Sequence, residues 1–188
     1  MEIDVKKWLV HAVMGLSAVT CWADDALQVH ASKDKSVYAD ATAQAQLGNA
    51  KTKARFSMHC TPSLSKYVKG TRGFSLALEN SSNFKNFNFE DFEGPEAPAG
   101  EQLTIQTLPG KVYRMTQSGG FQDDTFVFGY AELLSTKHGV VERIVGDIEK
   151  GAKTIEVKVT DTRQPHLQWV ARFDVNSSPM NFRKLMCK

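Results

Sequence analysis

Leu167-Gln168-Trp169-Val170-Ala171-Arg172-Phe173-Asp174-Val175 decides the fold. Side chains alternate across an extended chain with a period of two, so Leu167, Trp169, Ala171, Phe173 and Val175 share one face and Gln168, Arg172 and Asp174 the other. The segment reads as a strand with one side in a core. The same alternation recurs in Ile155, Val157 and Val159 against Glu156, Lys158 and Thr160, in Phe74, Leu76 and Leu78, in Leu103 and Ile105, and in Phe126, Phe128 and Tyr130. Clusters of Gly, Pro, Asn, Asp and Ser separate these runs, as turns do. Ala43, Ala45 and Leu47 lead into Gly48-Asn49, and Ala54, Phe56 and Met58 follow, which reads as a hairpin.

Outward from this segment, residues 111 to 175 read as five strands joined by short turns, an antiparallel meander. The loop Ser118-Gly119-Gly120-Phe121-Gln122-Asp123-Asp124 reads as one long hairpin turn, and Asp123-Asp124 lacks the spacing of a calcium loop. Val140 to Ile148 fits two patterns, since Val140, Val141, Ile144, Val145 and Ile148 also form a helix face. Hairpin-short flanks and plentiful β-branched residues place it as a strand. One short helix is expected over Pro62 to Lys69, with Thr61 as N-cap and Gly70 as stop. The fold class is all-β: an antiparallel β-sandwich or a closed β-barrel of roughly nine to eleven strands with at most one short helix. Both architectures use the same alternation, so both stand at this point.

Lys6-Lys7, an apolar run from Trp8 to Thr20, and Cys21-Trp22-Ala23 before Asp24-Asp25 have the order of a secretory signal peptide cleaved after Ala23. The expected organisation is a signal peptide over 1–23 and one β-rich domain over 24–188, periplasmic or secreted. A lipoprotein signal with Cys21 as the lipidated residue is a second reading of the same stretch. The run is shorter than the roughly 20 residues a spanning helix needs, so a membrane-spanning chain is not expected. Cleavage leaves two cysteines, Cys60 and Cys187, and an even pair in an oxidising compartment reads as a disulfide.

The net charge is +2, and removing Glu2, Asp4, Lys6 and Lys7 leaves 21 basic and 19 acidic residues, which argues against a nucleic-acid binder. Charge is nonetheless uneven. Residues 51–72 carry Lys51, Lys53, Arg55, Lys66, Lys69 and Arg72 with no acid, while residues 73–101 carry a local charge of −5. The plain reading is two solvated faces that pair with each other; the functional one is an oppositely charged rim.

Within the acidic stretch Phe84, Phe87, Phe89 and Phe92 precede Glu93-Gly94-Pro95-Glu96, the densest aromatic cluster in the chain. As core residues, Phe87 and Phe89 would line one face of a strand. As exposed anchors on a Pro-bounded loop, Phe84, Phe87, Phe89, Phe92, Glu93 and Glu96 would form a binding edge. His30, His59, His138 and His166 stand singly, at no metal-ligand spacing, so no metal and no cofactor are expected. Ser118, His138 or His166, and Asp123 supply the residue types of a triad without a nucleophile elbow, and no catalytic residue is assigned.

The leading expectation is an exported, non-enzymatic binding module for a protein partner, of the inhibitor or immunity kind. A β-barrel carrier of an apolar small molecule or lipid, lined by Phe126, Phe128, Tyr130 and Trp169, is the first alternative. An exported hydrolase is the second.

Overall fold

Alternating apolar runs become strands wherever one face can be buried. The computed structural model describes residues 23–31, 36–63, 69–94, 101–175 and 179–187. The expected signal segment to residue 22, residues 64–68 of the expected helix, and Glu96 lie outside the described residues. Among the described residues there are ten strands: β1 (Ala23–Ala31), β2 (Val37–Leu47), β3 (Ala50–Thr61), β4 (Thr71–Leu78), β5 (Leu103–Leu108), β6 (Val112–Met115), β7 (Gly119–Gln122), β8 (Thr125–Leu133), β9 (Thr154–Thr160) and β10 (Gln168–Asp174).

All ten belong to one antiparallel sheet in the order β6-β5-β9-β10-β2-β3-β4-β8-β7, with β1 branching onto β2. The sheet curls into a half-barrel. It is neither a sandwich of two sheets nor a closed barrel: among the described residues no pairing joins β6 to β7. The all-β class holds, and the two architectures expected for it give way to one between them.

Register fixes which side chains meet on the concave side. Ala43, Ala54, Leu78 and Phe126 form one transverse row across β2, β3, β4 and β8, and Ala41, Phe56, Leu76 and Phe128 form the next. On the other flank Leu103, Val159 and Trp169 pair in a row, followed by Ile105, Val157 and Ala171. All of these are buried. The fully buried positions of the central strand β2 are all alanines, Ala39, Ala41, Ala43 and Ala45, with Val37 and Leu47 at its ends, which leaves room for the rings of neighbouring strands: Phe56 packs between Phe74 and Phe173. Burying each large apolar side chain stabilises the fold by about 1.5–3 kcal/mol.

Three corrections concern connectivity. Val140–Glu149 is a helix, α1, and not a strand. Its buried residues Val141, Ile144, Val145 and Ile148 follow the i, i+3, i+4, i+7 spacing of one helical face. Gly151 just past its end has φ 105°, a conformation glycine adopts without strain. The expected meander is also absent. β8 pairs with β4 and β9 with β5 and β10, so α1 carries the chain from one flank of the half-barrel to the other. Lastly, Gly119 and Gly120 sit inside β7, and the turn to β8 is Asp123-Asp124 alone. A side chain at Gly119 would lie 2.4 Å from the Phe126 ring. The hairpin at Gly48-Asn49 is as expected, with Leu47 opposite Ala50 and Gly48 at φ 57°.

The lower end of the half-barrel is closed by α1 and by the tail, a short helix α2 (Pro179–Phe182) and a 3₁₀ turn over Arg183–Met186. Phe182 and Leu185 are fully buried. Cys187 is bonded to Cys60 on β3, with their Cα atoms 5.9 Å apart. Arg72, 2 % exposed, stitches these parts together: its guanidinium donates to Glu132 at 2.5 Å, to the Thr136 carbonyl at 2.7 Å and to Glu142 at 3.1 Å, and meets the Met186 sulfur at 3.7 Å. Arg72 thus leaves the expected basic run. Arg55 pairs with Glu79 at 3.6 Å, and Lys51 and Lys53 point to solvent from the convex face.

Candidate binding site at the rim of the half-barrel

The upper end is built differently. The chain from Asn80 to Gly94 crosses it in two 3₁₀ turns over Ser81–Asn83 and Glu90–Phe92, tied at its ends where Ser81 N–H donates to the Asp124 carbonyl and Glu93 bridges Gly119 of β7. This contradicts a strand at Phe87 and Phe89. It also removes the exposed aromatic edge: Phe84 and Phe92 are 1 % exposed and Phe87 and Phe89 6 %. Phe89 packs on Phe126 at 5.0 Å and Phe92 edge-on to Phe128 at 5.4 Å. The physical reason lies in the sheet. A half-barrel leaves the upper rows of its concave face uncovered, and the four rings plug that opening. The interior assigned to a carried ligand is therefore filled by the chain's own phenylalanines. Glu93 is exposed.

Three aspartates hold the plug. Asp124, in the β7–β8 turn, accepts from the Ser82 N–H at 3.1 Å and the Ser82 hydroxyl at 2.8 Å. Asp161, 1 % exposed, accepts from the Arg163 and Gln164 N–H groups with one oxygen, which shapes the turn after β9. Its other oxygen accepts from the Asn88 N–H of the plug at 2.7 Å. Asp91 binds Arg163 with both oxygens, at 3.0 and 2.5 Å, and accepts from the Thr162 hydroxyl. The hydrogen bond from Arg163, then that from Thr162, holds the Asp91 carboxyl down to about 2, and the same contact raises Arg163.

Where the plug meets the β7–β8 hairpin and the turn after β9, a groove of about 400 Å³ opens. Lys85, Glu90 and Arg163 border it, and Phe121, 43 % exposed on the edge strand β7, forms its apolar wall. Phe121 also lines a smaller groove of about 250 Å³ beside Lys85 and Asp124. A third, of about 360 Å³, runs from Phe84 and Lys85 to the β2–β3 turn and Leu167. The rim is thus mixed in charge and carries one available aromatic ring.

Of the residues singled out in the sequence, Phe84, Phe87, Phe89 and Phe92 come together as the floor of this rim, and Glu93 stands at its edge. Phe121, Lys85, Arg163 and the three latching aspartates were not anticipated. Asp161 had a local signal, since Asp two and three residues before the N–H groups it accepts is an Asx-turn pattern. The Asp91–Arg163 pair spans 72 positions and had none. Asp123 and His138 lie beyond opposite ends of β8, roughly 30 Å of strand, so they do not form one triad. Among the described residues no three or more His, Cys, Asp or Glu side chains converge to hold a metal ion, and no helix is long and apolar enough to cross a membrane.

Comparison with family models, curated proteins and solved structures finds no match to this chain.

Proposed function

We propose that the chain is an exported binding module of the bacterial periplasm or cell exterior, taking a protein partner on the rim formed by residues 80–94, the β7–β8 turn and the 161–167 loop. One observation carries the reading: the groove of about 400 Å³ sets the half-exposed Phe121 ring inside a border of Lys85, Glu90 and Arg163. An aromatic anchor within a charged, wettable rim is the composition protein interfaces favour. The loops that form it rest on a rigid sheet, as recognition loops do. The aromatic contact passes from the buried Phe84–Phe92 cluster to Phe121.

Export is supported by the Cys60–Cys187 bond, which persists in an oxidising compartment, and by the Lys6-Lys7 and Trp8–Thr20 pattern of the amino terminus. The mixed border suits a partner that is itself mixed in charge, since it offers both signs within one groove.

Photo-crosslinking in the producing cell tests this. A photoreactive residue at Phe121 or Lys85 is expected to yield one discrete protein adduct that the same residue at Lys53, on the convex face, does not. Equal labelling from all three positions, or none from the rim, would refute the proposal.

A further inference from the structure

Register places Arg114, Thr104, Lys158, Val170, Gln46 and Lys51 side by side in one row across β6, β5, β9, β10, β2 and β3. Each has a buried neighbour in its own strand, so all six point outward from the convex face. The next row holds Val112, Gln106, Glu156 and Arg172, and Lys53 follows two positions after Lys51 along β3. Arg114, Lys158, Lys51, Lys53 and Arg172 share these rows with one carboxylate, that of Glu156. This surplus of four positive charges lies on a chain whose net charge is +2, so the convex face is far more basic than the molecule as a whole.

The acid on this face is hidden and the cations are not. Glu156 is 4 % exposed and sits beneath Lys158, at 2.6 Å, and Arg172, at 2.5 Å, which leaves one positive charge of that trio uncompensated. Arg114, Lys51 and Lys53 are exposed and make no ion pair among the described residues. Beyond the two rows Glu79 pairs with Arg55, and Asp174 stands one row further down β10. Curvature then limits what can meet these cations together. Five of the eight strand steps of the half-barrel separate Arg114 on β6 from Lys51 on β3, an arc of roughly 24 Å at the usual strand spacing. Their side chains therefore diverge by more than a right angle, and no flat surface touches both. A flexible linear polyanion laid across the strands does. Neither row carries an aromatic ring on which a nucleic-acid base could stack, whereas Thr104, Gln106 and Gln46 set hydroxyl and amide groups between the cations.

We infer that the convex face is a second binding surface, on which a linear acidic polysaccharide wraps across the strands from Arg114 past Lys158 and Arg172 to Lys51 and Lys53. Carboxylates of the glycan take the arginine and lysine heads, and its hydroxyls take the threonine and glutamine groups between them. This surface is separate from the rim and does not depend on the protein partner placed there. Because its cations are exposed, salt weakens the contact steeply.

Decagalacturonate, a linear oligomer with one carboxylate on each sugar, serves as the probe when labelled with a fluorophore at its reducing end. Anisotropy titration with the oxidised full-length protein is expected to give saturable binding at about 20 mM salt that weakens at least tenfold by about 200 mM. Arg114→Glu and Lys51→Glu, at opposite ends of the arc, are each expected to raise Kd several-fold with unchanged urea midpoints. Lys137→Glu makes the same change of charge at an exposed position beyond the lower end of β8 and is expected to leave Kd within about twofold. Absence of saturable binding overturns the surface, and so does an equal loss in all three variants, which would make net charge the only cause. A loss at Lys51 without one at Arg114 overturns the wrapped path. Tighter binding of a labelled decathymidylate, or of phosphatidylglycerol vesicles, overturns the polysaccharide as occupant.

Discussion

Asp91 gives up its proton far more readily than an ordinary aspartate because Arg163 and Thr162 hydrogen-bond to its charged form. A carboxyl whose folded value lies below its unfolded one near 3.8 stabilises the fold above that pH, and the contribution fades as pH falls toward about 2. The stability gap between the native chain and Asp91→Asn, read from urea midpoints, is therefore expected to be open at pH 6 and to close between about pH 4 and 2. A gap that is constant across this range would mean the latch does not bear on Asp91. At Phe92 the expectation is large. Phe92→Ala leaves a cavity against Phe128 and should cost about 3–5 kcal/mol, measured by chemical denaturation. An unchanged midpoint would put the ring in solvent. The sequence made the density of this cluster plain. Which side of the surface it faced depended on rings far along the chain, Phe126 under Phe89 and Phe128 under Phe92, and no local pattern carries that information.

At the scale of elements, strands were legible because each is half-buried and shows its alternation directly, as β9 and β10 do. α1 was not, since five β-branched residues between short turns match a strand's composition as well as a helix's. What decides is that Val141, Ile144, Val145 and Ile148 face the inside of a curved sheet, and only a helix presents all four together. Asp147 on the same helix reinforces it. Burial pushes its carboxyl up, but bonds from the Thr107 and Tyr113 hydroxyls and the Lys111 N–H outweigh this and hold it low. Ile144→Ala is expected to cost about 2–5 kcal/mol in denaturant unfolding, whereas Arg143→Ala, on the exposed side, should cost under 1 kcal/mol beyond its contact with the Tyr113 ring. The Cys60–Cys187 pair was legible once the expected signal segment set Cys21 aside. Because it closes 127 positions of chain, reduction is expected to remove roughly 4–5 kcal/mol in the chain-entropy model. Limited proteolysis should then cut first within residues 179–187. Cleavage elsewhere first would show that α1 and Arg72 hold the tail without the bond.

For the whole molecule, the all-β class followed from periodicity, but curvature and closure did not. Alternation states that one face of each strand is buried without stating what buries it. Here the answer is divided: α1 and the tail cover the lower concave face, and an irregular aromatic segment covers the upper. That division makes the lower end a stapled, ion-paired base and the upper end a rim of loops pinned by carboxylates. The proposed binding surface rests on it, since the rim owes its groove to the plug. Hydrogen exchange by mass spectrometry on the oxidised full-length chain, resolved by segment at pH 7, tests it most directly. The account predicts that amides in β2, β3, β4 and β9 open only with global unfolding, while residues 84–92 exchange through a separate, easier opening that Arg163→Ala accelerates. Exchange of residues 84–92 in one cooperative unit with those strands, indifferent to Arg163→Ala, would contradict it.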